Sequence, residues 1–282
     1  MLGMLTGITQ SRTLNTNMKL KELIEETHRR WWIGNKDAHG SYKAAEAVVN
    51  IIGNLDVTEV TEKHIDQAVD ALREAGNKAG TINRKLAAFS KVLRTAYRLN
   101  MIERMPHIIK LKEPKHRISW LSKEEEAELL SQPMSEDFRE LLIVLVDTGM
   151  RLGEALKLQS KDCKVSKRAI HLWDTKSGEA RTIPMTARVA GILEGRSGRV
   201  FNLNKDQVQY KWKLVRKAMN REGDPEFVIH MLRHTCASRL VQGGVNIPVI
   251  QAWLGHSNIA TTMRYAHINP QNMTSAASVL ES

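Results

Sequence analysis

"LGHSNIATTMRYAH" occupies residues 254–267 and sets two histidines and a tyrosine around a short polar turn. Gly255 is the residue type expected just past a helix C-terminus, where a left-handed backbone carries no Cβ penalty. The stretch therefore predicts a helix over 246–254, a glycine stop, His256 aimed out of the helix axis, and a second short helix over 259–266 that carries Tyr265. A tyrosine is ordinarily half-buried with its hydroxyl hydrogen-bonded. Whether this one packs or attacks depends on what the rest of the chain brings to it.

Working outward, "HMLRHTCASRL" (230–240) lies in a predicted helix over 229–242. His230 and Arg233 are three apart and share a face, and His234 is four from His230. Two histidines at that spacing suit zinc, but no Glu follows His230 as in H-E-x-x-H and a third ligand is missing, so no metal site is expected. Further upstream, "TGMRLGEAL" (148–156) follows the apolar helix "DFRELLIVLVDTGM" (137–150). Gly149 marks the turn, Arg151 presents a planar fork at the junction, and Glu154 is placed to hold it. Between these segments "RAIHLW" (168–173) and "RTIPM" (181–185) read as strands, and "DTKSGEA" as the turn of a hairpin with Lys176 at its tip. Further helices are predicted over 186–195 and 205–222.

Each of these residues alone has an ordinary explanation: an Arg–Glu pair at a helix start, a solvated lysine, a capping histidine. Together they form a set with one chemistry. Two arginine forks match the oxygens of a phosphate diester and stabilise added charge on phosphorus. Histidines take or share protons near neutral pH. A tyrosine, with a pKa of roughly 10, needs such help to attack. A lysine protonates a leaving alkoxide. Neither a P-loop nor a serine nucleophile elbow is present, and no cofactor or ATP is expected.

The bulk composition points the same way. The 282 residues carry 42 Lys and Arg against 31 Asp and Glu, a net charge of +11, which suits a polyanionic partner. The excess is concentrated: residues 73–117 hold twelve Lys/Arg and three acids. The longest aliphatic run, "LLIVLV" at 141–146, is too short to cross a bilayer. Residues 1–16 read as an irregular leader without signal-peptide character. Cys163 and Cys236 read as reduced thiols.

In the first half, helices are predicted over "KLKELIEETHRRWW" from Met18, "SYKAAEAVVNIIGNL", and "TEKHIDQAVDALREA". The last begins with a capping box that uses either Thr61 with His64 or, better placed, Thr58 with Thr61 and Glu62. A fourth helix covers 79–100. Its apolar face is Ile82, Leu86, Phe89, Leu93 and Ala96; Arg84, Lys91, Arg98 and Arg94 make an opposite basic stripe. Such a stripe is either an ordinary solvated face or a helix laid along a phosphate backbone, and on the second reading these residues, with Lys85, are the candidate DNA-binding set. Residues 104–119 read as an extended, charged linker. "LSKEEEAELL" opens the second half with Ser122 as N-cap and acids in the first turn.

The ordered set "TGMRLGEAL", "DTKSGEARTIPM", "HMLRHTCASRL" and "WLGHSNIATTMRYAH", with Tyr265 114 residues after Arg151, resembles the tyrosine recombinases of the phage integrase family. The resemblance is specific over 118–267 and rests on general pattern over the first half. It implies a mainly α chain with a small β-hairpin or sheet, in two domains. A helical core-binding, DNA-binding domain would cover 17–103 and an α+β catalytic domain 120–282, with a C-terminal tail at 268–282 that docks onto a neighbouring subunit. It implies that Arg151 and Arg233 clamp the scissile phosphate and Lys176 protonates the departing 5′ oxygen. His230 would assist proton removal from Tyr265, His256 would bond the phosphate, and Tyr265 would attack to leave a 3′-phosphotyrosine; Glu154 and His234 would be supports. The partners implied are double-stranded DNA at specific recombination sites, a homotetramer on that DNA, and accessory DNA-bending or directionality proteins. The setting implied is the cytoplasm and nucleoid of a bacterial host. About 16 residues precede the first helix, too few for an arm-binding domain, so the expectation is either a simpler recombinase or a truncated form of a longer one. The competing readings are a DNA-binding regulator that keeps the fold without cleaving, and a type IB topoisomerase with a similar catalytic set.

Overall fold

A computed structural model describes residues 18–35, 37–114, 118–173 and 180–268. It is mainly helical with one small antiparallel sheet, and it divides into two compact units, Met1–Lys115 and His116–Ser282.

The first unit is built from α1 (Leu20–Thr27), α2 (Ala38–Ile52), α3 (Glu62–Glu74) and α4 (Ala79–Arg98). α4 buries the predicted stripe Ile82, Leu86, Phe89, Leu93 and Ala96, together with Val92, against Ala45, Val48 and Val49 of α2 and Leu20, Leu23 and Ile24 of α1. The first predicted helix does not run straight through "HRRWW". From His28 to Trp32 the backbone widens into a π-helical turn, which sends Trp32 into the core and leaves Trp31 outside. The box that starts α3 is Thr61 with His64, whose Nδ1 accepts from the Thr61 N–H at 3.1 Å. Thr58 belongs instead to a 3₁₀ turn, Val57–Glu59, capped by Asp56.

The predicted linker is in part a docked strap. The Asn83 side chain accepts from the Leu111 N–H at 2.8 Å and donates to the Leu111 carbonyl at 2.9 Å, and Ile108 and Leu111 pack on the first core. A linker rich in charge still obeys its few apolar residues, and the amide of Asn83 satisfies its backbone as a strand neighbour would.

The second unit opens with α5 (Lys123–Ser131), capped as predicted: the Ser122 Oγ accepts from the Glu125 N–H at 3.1 Å. α6 (Glu136–Thr148) is the buried helix, with Phe138, Leu141, Leu142 and Val144 fully inside. It packs on α10 (Met231–Gln242). α7 (Leu152–Ala155) follows, then a three-stranded antiparallel sheet of β1 (Cys163–Lys164), β2 (Ala169–Leu172) and β3 (Arg181–Pro184), in that order, with Ile170 opposite Ile183. The hairpin strands were legible; β1, two residues long, gave no alternation to read. α8 (Ala187–Leu193) and α9 (Lys205–Ala218) cover the same core. α9 stops four residues short of the predicted end because Asn220 takes a left-handed backbone, with φ 52°. α11 (Ile247–Leu254) and α12 (Ile259–Met263) complete the described residues with a small apolar cluster of Ala237, Val241, Ile250, Leu254 and Tyr265. No helix among the described residues is long and apolar enough to cross a membrane.

Two glycines fix the geometry that matters below. Gly149 ends α6 at φ 63°, and a Cβ there would lie 2.7 Å from Leu254 Cδ2. Gly255 ends α11 at φ 66°, and a Cβ there would lie 2.8 Å from Arg181 Cδ. Both need glycine twice over, for the backbone and for the space.

Candidate active site

The turn after α6 and the turn after α11 lie against each other, and side chains lace them together. The Trp253 indole N–H donates to the Thr148 carbonyl at 2.9 Å. The Arg233 guanidinium, 3% exposed, donates to the Gly149 carbonyl at 2.6 Å and the Leu254 carbonyl at 2.7 Å. Arg151 donates to the Gly255 carbonyl at 3.0 Å. So the N-terminal half of α10, the start of α7 and the end of α11 converge on one patch.

Glu154 is the hub of that patch. It accepts from the Arg151 backbone N–H at 2.8 Å and the Arg151 guanidinium at 2.8 Å, and from Arg181 in a bidentate fork at 3.1 and 2.7 Å. Burial alone would raise its carboxyl pKa, but these donors outweigh it and hold the group at about 2. Arg181 also donates from Nε to the Trp253 carbonyl at 3.2 Å. Three guanidinium groups against one carboxylate leave a net positive site that suits an anion. Burial first, and Arg151 second, lower the Arg233 pKa to about 10, which still leaves it charged at neutral pH.

The sequence reading named Arg151, Glu154 and Arg233 but passed over Arg181. A signal was available: in β3, Arg181 and Ile183 share a face by the two-residue period, and Ile183 is core. An arginine on the inner face of a strand requires a carboxylate partner. Arg181→Ala is expected to cost about 3 kcal/mol of stability by breaking a buried pair. Arg181→Lys should recover little of it, because an ammonium cannot span both Glu154 oxygens and the Trp253 carbonyl. Denaturant midpoints within about 1 kcal/mol of the parent for both variants would show that Glu154 is held by Arg151 alone.

Three histidines and the tyrosine line the same patch. Tyr265 is 3% exposed, and its hydroxyl oxygen lies 2.5 Å from Nδ1 of His234. His230 is edge-on to His234, with ring centroids 4.9 Å apart. The side chain against the tyrosine hydroxyl is His234, and His230, to which the resemblance gives assistance in proton removal, stands behind it. His256 Nδ1 lies 2.9 Å from the Thr262 hydroxyl, and its carbonyl accepts from Gln251 at 2.9 Å. Burial raises the Tyr265 pKa, opposed by the nearby charges of Arg233 and Arg264. The tyrosine is therefore a neutral phenol that needs a proton acceptor before it can attack. Among the described residues no three His, Cys, Asp or Glu side chains gather to hold a metal. Lys176, the tail at 269–282 and the leader lie outside the described residues.

Burial, then neighbouring cations and His230, lower the His234 pKa from 6.5 to about 4; burial, then the arginines, lower His256 likewise. Both are neutral in the folded protein and would take protons on unfolding. The unfolded state therefore binds more protons between pH 6.5 and 4, and stability falls as pH drops through that window. Each contributes about 1–2 kcal/mol after solvent screening. Below it Glu154 acts in the same direction between 4.5 and about 2. The unfolding temperature is expected to fall steadily from pH 6.5 to 4, and less steeply in His256→Gln; a flat profile would mean that the two rings are solvated.

The candidate DNA-binding residues lie on α4 of the first unit. Arg84, Arg94 and Arg98 are exposed, and Lys85 and Lys91 are half-buried. Lys85 donates to Asn77 at 3.0 Å. Lys91 and Arg98 stand over the exposed face of Trp31, with their cationic centres 5.2 and 4.9 Å from the ring centroid. Trp31 orders these two cations without neutralising them.

The comparisons with known proteins converge on one family. The chain is 27% identical over 267 residues to the integrase of Escherichia phage P2, a match covering 92% of this chain and 77% of that one. It is 30% identical over 219 residues to the integrase of Salmonella phage P22, covering 70% of this chain and 56% of that one. Among solved structures, the Tn1549 transposon integrase (residues 82–397, in complex with transposon right-end DNA) superposes with a TM-score of 0.75 at 21% identity. That superposition covers 94% of this chain and all of that one. The phage integrase family profile matches residues 119–272, which takes in every residue of the patch just described, and the chain belongs to that family.

Proposed function

We propose that this chain is a site-specific recombinase that cuts duplex DNA by attack of Tyr265 on a phosphodiester and rejoins the strand to a new partner. The observation that carries this reading is the Tyr265 hydroxyl, buried and paired with an imidazole in the patch that Arg151, Arg181 and Arg233 make positive. Arg151 and Arg233 take the non-bridging phosphate oxygens. As charge grows on the five-coordinate phosphorus, their fixed forks stabilise it without a metal ion. His256 bonds a further phosphate oxygen, and His230, edge-on to His234 beside the tyrosine, assists removal of the Tyr265 proton. Lys176 protonates the 5′ oxygen as it departs. A 3′-phosphotyrosine and a free 5′ hydroxyl result. One phosphoester replaces another, so bond energy is retained and no ATP is consumed.

Recombination exchanges two strands on each of two duplexes, and each chain supplies one Tyr265, so four copies assemble on the DNA. The tail at 268–282 serves as the segment that reaches a neighbour. The α4 stripe of Arg84, Lys85, Lys91, Arg94 and Arg98 holds the phosphate backbone from the first unit. The reaction moves a phage genome or another mobile element, in the cytoplasm of a bacterial host, with accessory proteins setting its direction.

The test is a trapping experiment with nicked duplexes from the element's own ends, in EDTA. The expected product is a covalent protein–DNA band in a denaturing gel, whose proteolysis and mass spectrum place the nucleotide on Tyr265. Tight binding without a band would favour a non-cleaving regulator. Relaxation of supercoils by a monomer would favour a topoisomerase.

A further inference from the structure

We infer that Arg181 is a positioning residue for strand cleavage: it balances the charge of Glu154, so that the Arg151 guanidinium keeps its own charge and its spare donors for the scissile phosphate. This rests on the reading of Arg151 as part of the phosphate clamp.

The acceptor sites of Glu154 are shared out between the two arginines. Oε1 accepts from Nη1 of Arg151 at 2.8 Å and from Nη1 of Arg181 at 3.1 Å. Oε2 accepts from the Arg151 backbone N–H at 2.8 Å and from Nη2 of Arg181 at 2.7 Å. A carboxylate offers about four lone-pair sites, and all are taken. Arg151 is thereby held to one side-chain bond with Glu154, and its other terminal nitrogen donates to the Gly255 carbonyl at 3.0 Å. The rest of its guanidinium donors are left for a ligand. Arg181 is placed differently. Its side chain is 8% exposed, against 26% for Arg151. Its Nε donates to the Trp253 carbonyl, and its guanidinium lies so close to Gly255 that a Cβ there would be 2.9 Å from Nη1. All three of its nitrogens face protein, so the group is committed to holding the turn rather than to meeting DNA.

Removing Arg181 frees one site on each oxygen of a buried carboxylate. The cation already bonded there is Arg151, and a planar guanidinium closes on a free carboxylate through two parallel bonds. Arg151 would make that fork, release Gly255 and turn its donors inward. Charge moves the same way. Three guanidinium groups less one carboxylate leave the patch two positive charges; without Arg181 one remains. The Arg181 charge is also felt at Arg233 and at His256. Fixed positive charge in a site screened from water is what stabilises a five-coordinate phosphorus. Arg181 thus acts on the phosphate through Arg151, without touching it.

The experiment measures single-turnover adduct formation by the full chain on saturating nicked DNA, with the scissile phosphate either ordinary or replaced by a methylphosphonate. The methyl group removes one non-bridging oxygen and its charge, so that substrate asks less of a cationic clamp. Arg181→Gln is expected to slow adduct formation on the ordinary phosphate by about 10²-fold, with DNA affinity unchanged, and to slow it far less on the methylphosphonate. Arg181→Lys keeps the cation but cannot span both Glu154 oxygens. It should fall between Arg181→Gln and the parent, and it is the variant to read if Arg181→Gln does not fold. In an Arg151→Ala background, loss of Arg181 should add little further loss of rate, because its effect passes through Arg151. A parental rate in either Arg181 variant overturns the inference. So does a loss that is equal on the two substrates and adds in full to that of Arg151→Ala, which is the signature of destabilisation alone. A parent that forms no adduct, or an adduct that survives Tyr265→Phe, is a different failure: it removes the recombinase reading, and this inference with it.

Discussion

Tyr265→Phe folds, binds DNA as tightly as the parent, and forms no covalent adduct. The ring of Tyr265 belongs to the apolar cluster of Ala237, Val241, Ile250 and Leu254, and phenylalanine keeps that packing. What it loses is one oxygen and its bond to His234, worth about 1 kcal/mol of stability. The adduct rate falls by on the order of 10⁵ or more, because no other group stands in for a missing nucleophile. The contrast between a small change in unfolding midpoint and a total loss of chemistry separates attack from packing. If the adduct persists, the hydroxyl serves only to satisfy His234, and the ring is core.

Much of this site was readable from local spacing. Arg151 and Glu154 are three apart across a glycine turn, and the turn forces their pairing. Gly149 and Gly255 announce helix stops, and both ends fall where expected. The α4 stripes follow from the 3.6-residue period, and burial divides them as it predicts. What escaped was set by contacts distant in sequence. Arg181 meets Glu154 across 27 residues, and a strand residue's partner on a separate helix leaves no local trace beyond its inward phase. His230 and His234 share a face, so only the fold tells which one meets Tyr265. The strap after α4 looked like a spacer because its charges outnumber its apolar residues, yet Asn83 and two apolar contacts hold it. The π-helical turn at 28–32 is invisible to a periodicity argument, since one extra residue shifts the phase without changing composition.

The second large effect is expected at Arg233. An arginine carries five N–H donors in a planar fork, and here two of its bonds go to the carbonyls of Gly149 and Leu254. Donors remain for a phosphate, and the two carbonyls aim them. A lysine in its place has three donors on one nitrogen. Two are spent if the turns after α6 and α11 are to stay joined, so at most one is left for the phosphate, at a different depth. Arg233→Lys should therefore lose about 10²–10³-fold in single-turnover adduct formation, while overall affinity for duplex DNA, carried by many phosphate contacts, changes little. Arg233→Ala should lose more, and should also lower the unfolding midpoint, because two buried carbonyls are left without a donor. Comparison with Arg151→Lys sharpens the assignment. Arg151 is the more exposed of the pair and leans on Glu154, so its lysine variant should retain more stability for a similar loss of rate. A parental rate in Arg233→Lys would mean that the buried guanidinium only laces the two turns, and that Arg151 alone meets the phosphate.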